Sequence, residues 1–239
     1  EMEPGNANAY YLRAGANTYL WKYHEAIRDF SSSIEYFPKM KNDPCSTWQN
    51  TFEAAYLARA QIYAKLKEYK KPIVDLTTII NMAPPKEDKS VICFPEQEEY
   101  EPLKSQAYLV RSWIYAELNN YSQAVKDVEI VIKNDPQNES AYNARGCYYF
   151  EAEKYNWAID DFSKALNLSR TSQRKLDNLI CLASVYFQEK DFVKAKRYFK
   201  KALEIEPQLR QGKKILDKRD LNYLPKMGNV VFEMTRNSL

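Results

Sequence analysis

Five stretches of this 239-residue chain resemble one another, and this repetition limits the folds open to it more than any other feature. Each stretch carries an aromatic residue near its middle, at Tyr23, Tyr69, Tyr121, Tyr155 and Phe192. Fifteen residues later a proline follows in four of the five, at Pro38, Pro84, Pro136 and Pro207, with Arg170 in the fourth. A unit of this size cannot bury its own apolar face, so we expect stacked repeats that share one core.

The pattern inside each repeat is helical. Two apolar-periodic stretches of about 14 residues indicate two helices joined by a short turn. Small residues recur in the first helix, at Ala14, Ala60, Ser112, Gly146 and Ala183, where two helix backbones would approach closely. The prolines end the second helix because proline cannot continue one without losing a hydrogen bond. Only 5 glycines are present, which disfavours an all-β fold with many tight turns.

The recurring Tyr-x-x-Arg-small, Tyr-x-x-Ala and proline positions resemble the tetratricopeptide repeat family. The resemblance implies an all-α fold, an α-α superhelix (solenoid) of about five helix-turn-helix repeats with a C-terminal capping helix. The expected repeats cover about 7–40, 53–86, 105–138, 139–172 and 176–209, with insertions after 38 and 84. Residues 208–224 are expected to form the capping helix, and residues 225–239 a tail.

Residues 1–6 look like the end of a preceding repeat, because Pro4 precedes Pro38 by 34 residues, one repeat length. We therefore expect a piece of a longer array, the alternative being a natural terminus that mimics a repeat end. The 85–101 insertion is longer than a usual helix connection, and a partner contact or a tolerated ornament explains it equally well.

Repeats one to four share an arginine in the first helix and an aspartate in the second. The arginines are Arg13, Arg59, Arg111 and Arg145, and the aspartates are Asp29, Asp75, Asp127 and Asp161. The fifth repeat loses both together, with Leu182 and Tyr198 in their places. Because a partly buried charge needs a partner, we interpret these residues as structural ion pairs rather than a row of ligand-binding arginines.

Catalytic chemistry is not indicated. His24 is the only histidine, which excludes sites that need several histidines and weakens any nucleophilic triad. Cys45, Cys93, Cys147 and Cys181 are far apart without a CxxC pair, which indicates reduced packing cysteines and favours the cytoplasm. No glycine-rich phosphate loop and no apolar run of ~18 residues is present, so we expect no enzyme, no cofactor, no metal and no membrane span.

In the tetratricopeptide family the first helices line a concave groove. The resemblance gives the groove candidates Tyr11, Tyr19, Leu57, Gln61, Leu109, Trp113, Asn143, Cys147, Phe150, Ile180 and Ser184. Family members that grip the carboxylate tails of chaperones use cationic residues, but the matching positions here are Tyr11, Gly15, Ala58, Gln106 and Val110. We therefore expect a protein or peptide partner other than such a tail. Alternatively, Trp113 and Phe150 fill the interior of the superhelix.

The C-terminal end is basic. Residues 190–219 hold eleven basic and four acidic residues, and Lys213, Lys214, Lys218 and Arg219 form a secondary basic surface, either a solvated cap or a contact. The function we favour is a non-catalytic adaptor or scaffold that binds a partner segment in the groove. The alternatives are a regulatory or targeting arm of a larger enzyme, a structural component of a large assembly and, least favoured, an RNA-binding superhelix.

Overall fold

Helices make up nearly all of the chain that the computed structural model describes, residues 6–37, 47–82 and 100–206. Within these ranges ten α-helices are present and no strand, which confirms the all-α repeat fold. The helices are α1 (Ala7–Tyr19), α2 (Tyr23–Tyr36), α3 (Thr47–Lys65), α4 (Lys70–Asn81), α5 (Tyr100–Glu117), α6 (Tyr121–Asn134), α7 (Glu139–Glu151), α8 (Tyr155–Leu168), α9 (Ser172–Gln188) and α10 (Phe192–Ile205). No described helix combines the length and apolar character needed to cross a bilayer.

Polar side chains cap the N-termini of several helices. Asn6 accepts a hydrogen bond from the Ala9 amide, and Asn138 accepts one from the Ala141 amide. Asp191 does the same for Lys194 at the start of α10. These caps satisfy amides that a first helical turn leaves without a partner inside the helix.

Every turn between paired helices contains one residue with left-handed backbone, two positions before the recurring aromatic. These residues are Trp21, Lys67, Asn119, Glu153 and Lys190, with φ between 58° and 63°. A left-handed residue after a helix lets the chain reverse while the last carbonyls still accept hydrogen bonds. None of the five is glycine, so sequence patterns that rely on glycine do not reveal this turn.

The chain divides into two compact units, Glu1–Ile114 and Tyr115–Leu239, called here the N-terminal and C-terminal units. In the N-terminal unit, Ala14 of α1 packs with Ala26 and Phe30 of α2, and Ala55 and Ile62 of α3 join the same cluster. A second cluster joins α3, α4 and the first part of α5 through residues that include Leu57, Leu76, Ile79, Ala107 and Ile114. Small residues at the helix crossings thus bring the backbones together, as the repeat pattern predicts.

In the C-terminal unit, α7 packs on α8 and α9 packs on α10, while α6 contacts α7 and α8 contacts α9. Gly146 of α7 lies directly over the Phe162 ring: a Cβ atom added there would be 2.9 Å from two ring carbons. Buried residues of α9, such as Leu176 and Ile180, share a cluster with Phe199 of α10.

Several expectations concern residues outside the described ranges. These are the preceding-repeat residues 1–5, most of both insertions, Cys45 and Cys93, the capping helix, the tail, and the basic residues Lys213, Lys214, Lys218 and Arg219. The limits of the individual repeats stay a prediction.

Candidate functional site

Arginine and aspartate face each other within three of the helix pairs. Nε of Arg13 lies 2.7 Å from Oδ2 of Asp29, and Nε of Arg59 lies 2.9 Å from Oδ2 of Asp75. Arg145 donates two hydrogen bonds of 2.8 Å to Asp161. Each guanidinium thus satisfies both oxygens of a buried carboxylate within its own repeat.

Two of the repeat arginines, Arg59 and Arg111, also reach the preceding helix pair. Nη1 of Arg59 lies 2.9 Å from the Ser31 hydroxyl of α2, and Nη1 of Arg111 lies 2.9 Å from the Thr77 hydroxyl of α4. Ser31 and Thr77 each lie two residues after the repeat's aspartate, so the link repeats along the chain. The expected pairing of Arg111 with Asp127 joins residues of different units and stays a prediction.

A tyrosine three residues earlier lies under each of these arginines, at Tyr10, Tyr56, Tyr108 and Tyr142, with ring centroids 5.4–5.8 Å from the guanidinium carbon. Burial raises the pKa of Asp161, although its hydrogen bond from Arg145 lowers it. The hydrogen bond to Asp161 raises the pKa of Arg145, so the guanidinium stays charged. The contacts of these arginines fit a structural role.

The groove candidates of the N-terminal unit differ in exposure. Tyr19 is 86% exposed and Gln61 is also exposed, while Leu109 and Trp113 are half-buried. Tyr11 is half-buried against the Phe30 ring, whereas Leu57 is buried in the cluster of α3, α4 and α5. At Leu57 the groove assignment is therefore corrected, because a side chain inside the core has no surface left for a partner.

In the C-terminal unit most groove candidates are buried. Phe150, Ile180 and Ser184 are at most 1% exposed, and Cys147 is 9% exposed. The groove assignment is corrected at these positions as well, since neighbouring helices cover the faces that carry them. Asn143 is half-buried, and its Nδ2 lies 2.7 Å from Oδ1 of Asn178 on α9.

A polar network between α7 and α9 was not foreseen from the sequence. Buried Glu139 accepts hydrogen bonds from Arg174 at 2.7 Å and from Asn178 at 2.9 Å. Asn178 also donates to the Ser169 hydroxyl, at 2.9 Å. The available signal was a charged residue, Glu139, at the repeat position that Ala7 occupies in the first repeat.

Two thiols face each other near this network, Cys147 on α7 and Cys181 on α9. Hydrogen bonding to the Cys181 thiol, together with burial, raises the pKa of Cys147 well above its ordinary value. Both are free and buried, so they behave as packing residues at neutral pH. Within the described residues no three histidine, cysteine or carboxylate side chains converge in a way that could hold a metal ion.

Several first-helix residues of the N-terminal unit keep at least part of their surface accessible to a partner. Gly15 and Tyr19 belong to α1, Gln61 to α3, and Leu109 and Trp113 to α5. A Cβ atom added at Gly15 would meet no other atom within 4 Å, so the α1 surface is open there. The Tyr69 ring lies edge-on to Trp113 at 6.3 Å between centroids. We call these five residues the first-helix surface.

Comparison with known proteins supports the helical-repeat fold described above. Tetratricopeptide repeat models match residues 105–138 and 177–209. A DnaJ protein P58IPK homolog A of Oryza sativa subsp. japonica is 24% identical over 200 residues, which are 81% of this chain. The chain covers 36% of the length of that relative.

Solved structures share the fold at low identity. MamA from Desulfovibrio magneticus RS-1 is 17% identical with a TM-score of 0.63, covering 87% of this chain and 98% of the other. YrrB, described as a TPR protein with an unusual peptide-binding site, is 13% identical with a TM-score of 0.54, covering 85% and 88%. A tetratricopeptide repeat protein from Parabacteroides merdae ATCC 43184 is 16% identical with a TM-score of 0.62, covering 97% and 75%.

The paired helices and their repeated ion pairs define a helical-repeat protein. The family-model matches at residues 105–138 and 177–209 show that the chain contains tetratricopeptide repeats. Members of this family are typically non-catalytic scaffolds, and the fold supports a role in protein–protein interaction.

Proposed function

We propose that this protein is a non-catalytic scaffold that binds a peptide segment of its partner on the first-helix surface of the N-terminal unit. The observation that carries the proposal is the exposure of Tyr19 beside open space at Gly15. An aromatic residue gives a large contact area for little loss of side-chain entropy, and natural interfaces use such residues as anchors.

Trp113 is the second anchor of the proposed site. It packs against the buried cluster of α3, α4 and α5, and the Tyr69 ring touches its edge, so its orientation is fixed before a partner arrives. A preorganised anchor loses less freedom on binding than a mobile one. The peptide-binding site in the description of YrrB is consistent with such a surface on this fold.

The chemistry of the surface selects against acidic chain ends. Gly15, Ala58 and Val110 replace the cations that a carboxylate clamp requires, and Arg59 is engaged with Asp75 and Ser31. We therefore propose a partner segment with apolar side chains, in extended or helical form.

Selection of peptides from a displayed random library against the whole chain tests this function. Trp113→Ala should weaken binding of the selected peptides by about 2 kcal/mol, which is about thirtyfold in affinity. Tyr19→Ala should act in the same direction without affecting folding, since Tyr19 is almost fully exposed. Trp157→Ala is the matched control, an exposed tryptophan on α8 of the C-terminal unit, and should leave affinity unchanged.

Peptides that bind wild type, Trp113→Ala and Tyr19→Ala equally well would place the binding site elsewhere. Circular dichroism of each variant without peptide separates the two roles of Trp113. If Trp113→Ala lowers the melting temperature and Tyr19→Ala does not weaken binding, Trp113 is a core residue and the proposed surface is wrong.

A further inference from the structure

The turn between α1 and α2 exposes three consecutive apolar residues. Tyr19, Leu20 and Trp21 are 86%, 59% and 76% exposed. We call them the first-turn patch. Apolar side chains this open lose contact with water only when something covers them, so a cluster of three adjacent ones indicates an interaction site.

The other turns of the array differ at the same positions. The corresponding triplets are Lys65-Leu66-Lys67, Glu117-Leu118-Asn119, Glu151-Ala152-Glu153 and Gln188-Glu189-Lys190. Leu66, the counterpart of Leu20, packs against the cluster of α1, α2 and α3 instead of facing solvent. The repeat fold itself therefore does not require an apolar first turn.

Trp21 also adopts an unfavourable backbone conformation, with φ of 62°. Bulky residues in the left-handed region are outliers, whereas asparagine tolerates it, and asparagine occupies this position at Asn119. A large aromatic residue kept at a strained and exposed position points to a role outside folding.

The neighbouring turn, between α3 and α4, is basic. Residues 65–71 contain four lysines and one acidic residue, Glu68, which pairs with Lys71 at 2.7 Å. All four lysines, Lys65, Lys67, Lys70 and Lys71, are exposed. Lys65 lies 5.9 Å from the ring centroid of Tyr23, the residue two positions after Trp21, so the basic turn adjoins the first-turn patch.

We propose that the first-turn patch and the adjoining lysines dock onto an anionic lipid bilayer. Tryptophan and tyrosine favour the boundary between headgroups and acyl chains, because each ring combines an apolar body with a polar group. The lysines add attraction to anionic headgroups. A bilayer accommodates side chains that project from a turn without needing a complementary pocket. The positive charge of the neighbouring turn is opposite to the negative charge of the bilayer surface.

Co-sedimentation of the whole chain with vesicles tests the proposal. One set contains phosphatidylcholine alone, and in the other about a third of the lipid is phosphatidylserine. Binding should require phosphatidylserine and weaken as salt is added. Trp21→Asn should reduce binding about tenfold and abolish the shift of tryptophan fluorescence to shorter wavelength that accompanies entry into lipid.

Matched variants distinguish three effects: insertion of Trp21 into the lipid, attraction of the lysines to the headgroups, and loss of folding. Lys67→Glu with Lys70→Glu should reduce binding at least about tenfold, whereas Lys200→Glu with Lys201→Glu, exposed on α10, should have little effect. Trp157→Ala should bind like wild type. Trp21→Asn should fold normally, because asparagine relieves the left-handed strain.

Three results would overturn the proposal. The first is failure of the wild-type chain to bind phosphatidylserine vesicles. The second is vesicle binding that depends on the lysines but not on Trp21, which is simple adsorption of charge. The third is binding to poly-glutamate in place of vesicles, which assigns the basic turn to an acidic protein.

Discussion

Arg59 holds Asp75 with two hydrogen bonds, of 2.9 Å and 2.7 Å, and uses its remaining terminal nitrogen to reach Ser31 at 2.9 Å. One side chain thereby joins the two helices of its own repeat and the second helix of the repeat before it. Each repeat contacts mainly its neighbours in such an array, so links of this kind transmit stability along the chain.

Removing one member of this pair should destabilise the protein more than removing both. Asp75→Ala leaves a mostly buried guanidinium without its carboxylate and should lower the free energy of unfolding by about 3 kcal/mol. The double variant Arg59→Leu, Asp75→Leu should destabilise the protein less than Asp75→Ala alone, and its cost should therefore lie below the sum of the single changes. The fifth repeat shows that an apolar arrangement is acceptable, with Leu182 buried and Tyr198 stacked on Tyr186.

Equilibrium unfolding in urea, followed by circular dichroism, provides these free energies. The exposed pair of Glu25 and Arg28 on α2 is the control, and Glu25→Ala should change stability by no more than about 0.5 kcal/mol. Strictly additive effects of the Arg59 and Asp75 changes would show that the pair is not coupled.

The two glycines of the first helices should respond oppositely to alanine. Gly146→Ala places a Cβ atom 2.9 Å from the buried Phe162 ring and should destabilise the protein by about 1–2 kcal/mol, despite the better helix propensity of alanine. Gly15→Ala meets no atom within 4 Å and should stabilise it by about 0.5–1 kcal/mol. Melting temperatures of both variants decide the matter, and adding Phe162→Leu to Gly146→Ala should recover part of the loss.

Asn178 should be the most sensitive residue of the α7–α9 network. Its side chain is fully buried and bridges Glu139, Asn143 and Ser169. Asn178→Ala leaves buried polar groups without partners and should cost about 2–3 kcal/mol. Gln173→Ala, which removes an exposed hydrogen bond to Asp177 on the same helix, should cost much less. If urea unfolding showed that Asn178→Ala and Gln173→Ala lower the free energy of unfolding equally, burial of Asn178 would not be what makes it important.

Cys147 should resist alkylation in the folded protein. Because the Cys181 thiol and burial raise its pKa, the reactive thiolate is scarce at neutral pH and becomes more abundant only as pH rises. A maleimide applied at pH 7 should label Cys147 and Cys181 rapidly in urea but slowly in buffer, as peptide mass spectrometry would show. Rapid labelling of Cys147 or Cys181 in the folded chain would place that thiol at the surface.

The sequence alone determined the helix pairs and much of their chemistry. Tyr23 and its four counterparts mark the second helices because apolar periodicity and proline stops are local properties of a chain. The spacing of sixteen residues between Arg13 and Asp29, repeated at Arg59 and Arg145, indicates contact across a helix pair because both helices belong to one short unit.

Only the tertiary structure decided which side chains stay accessible. Periodicity assigns Phe150 and Ile180 to a helix face, but the stacking of neighbouring helices determines whether that face is open, and here it is covered. Asn178 meets Glu139 across 39 residues of sequence, a distance that no local pattern spans. Trp21 is the opposite case, because the left-handed turn that carries it leaves its side chain exposed to solvent.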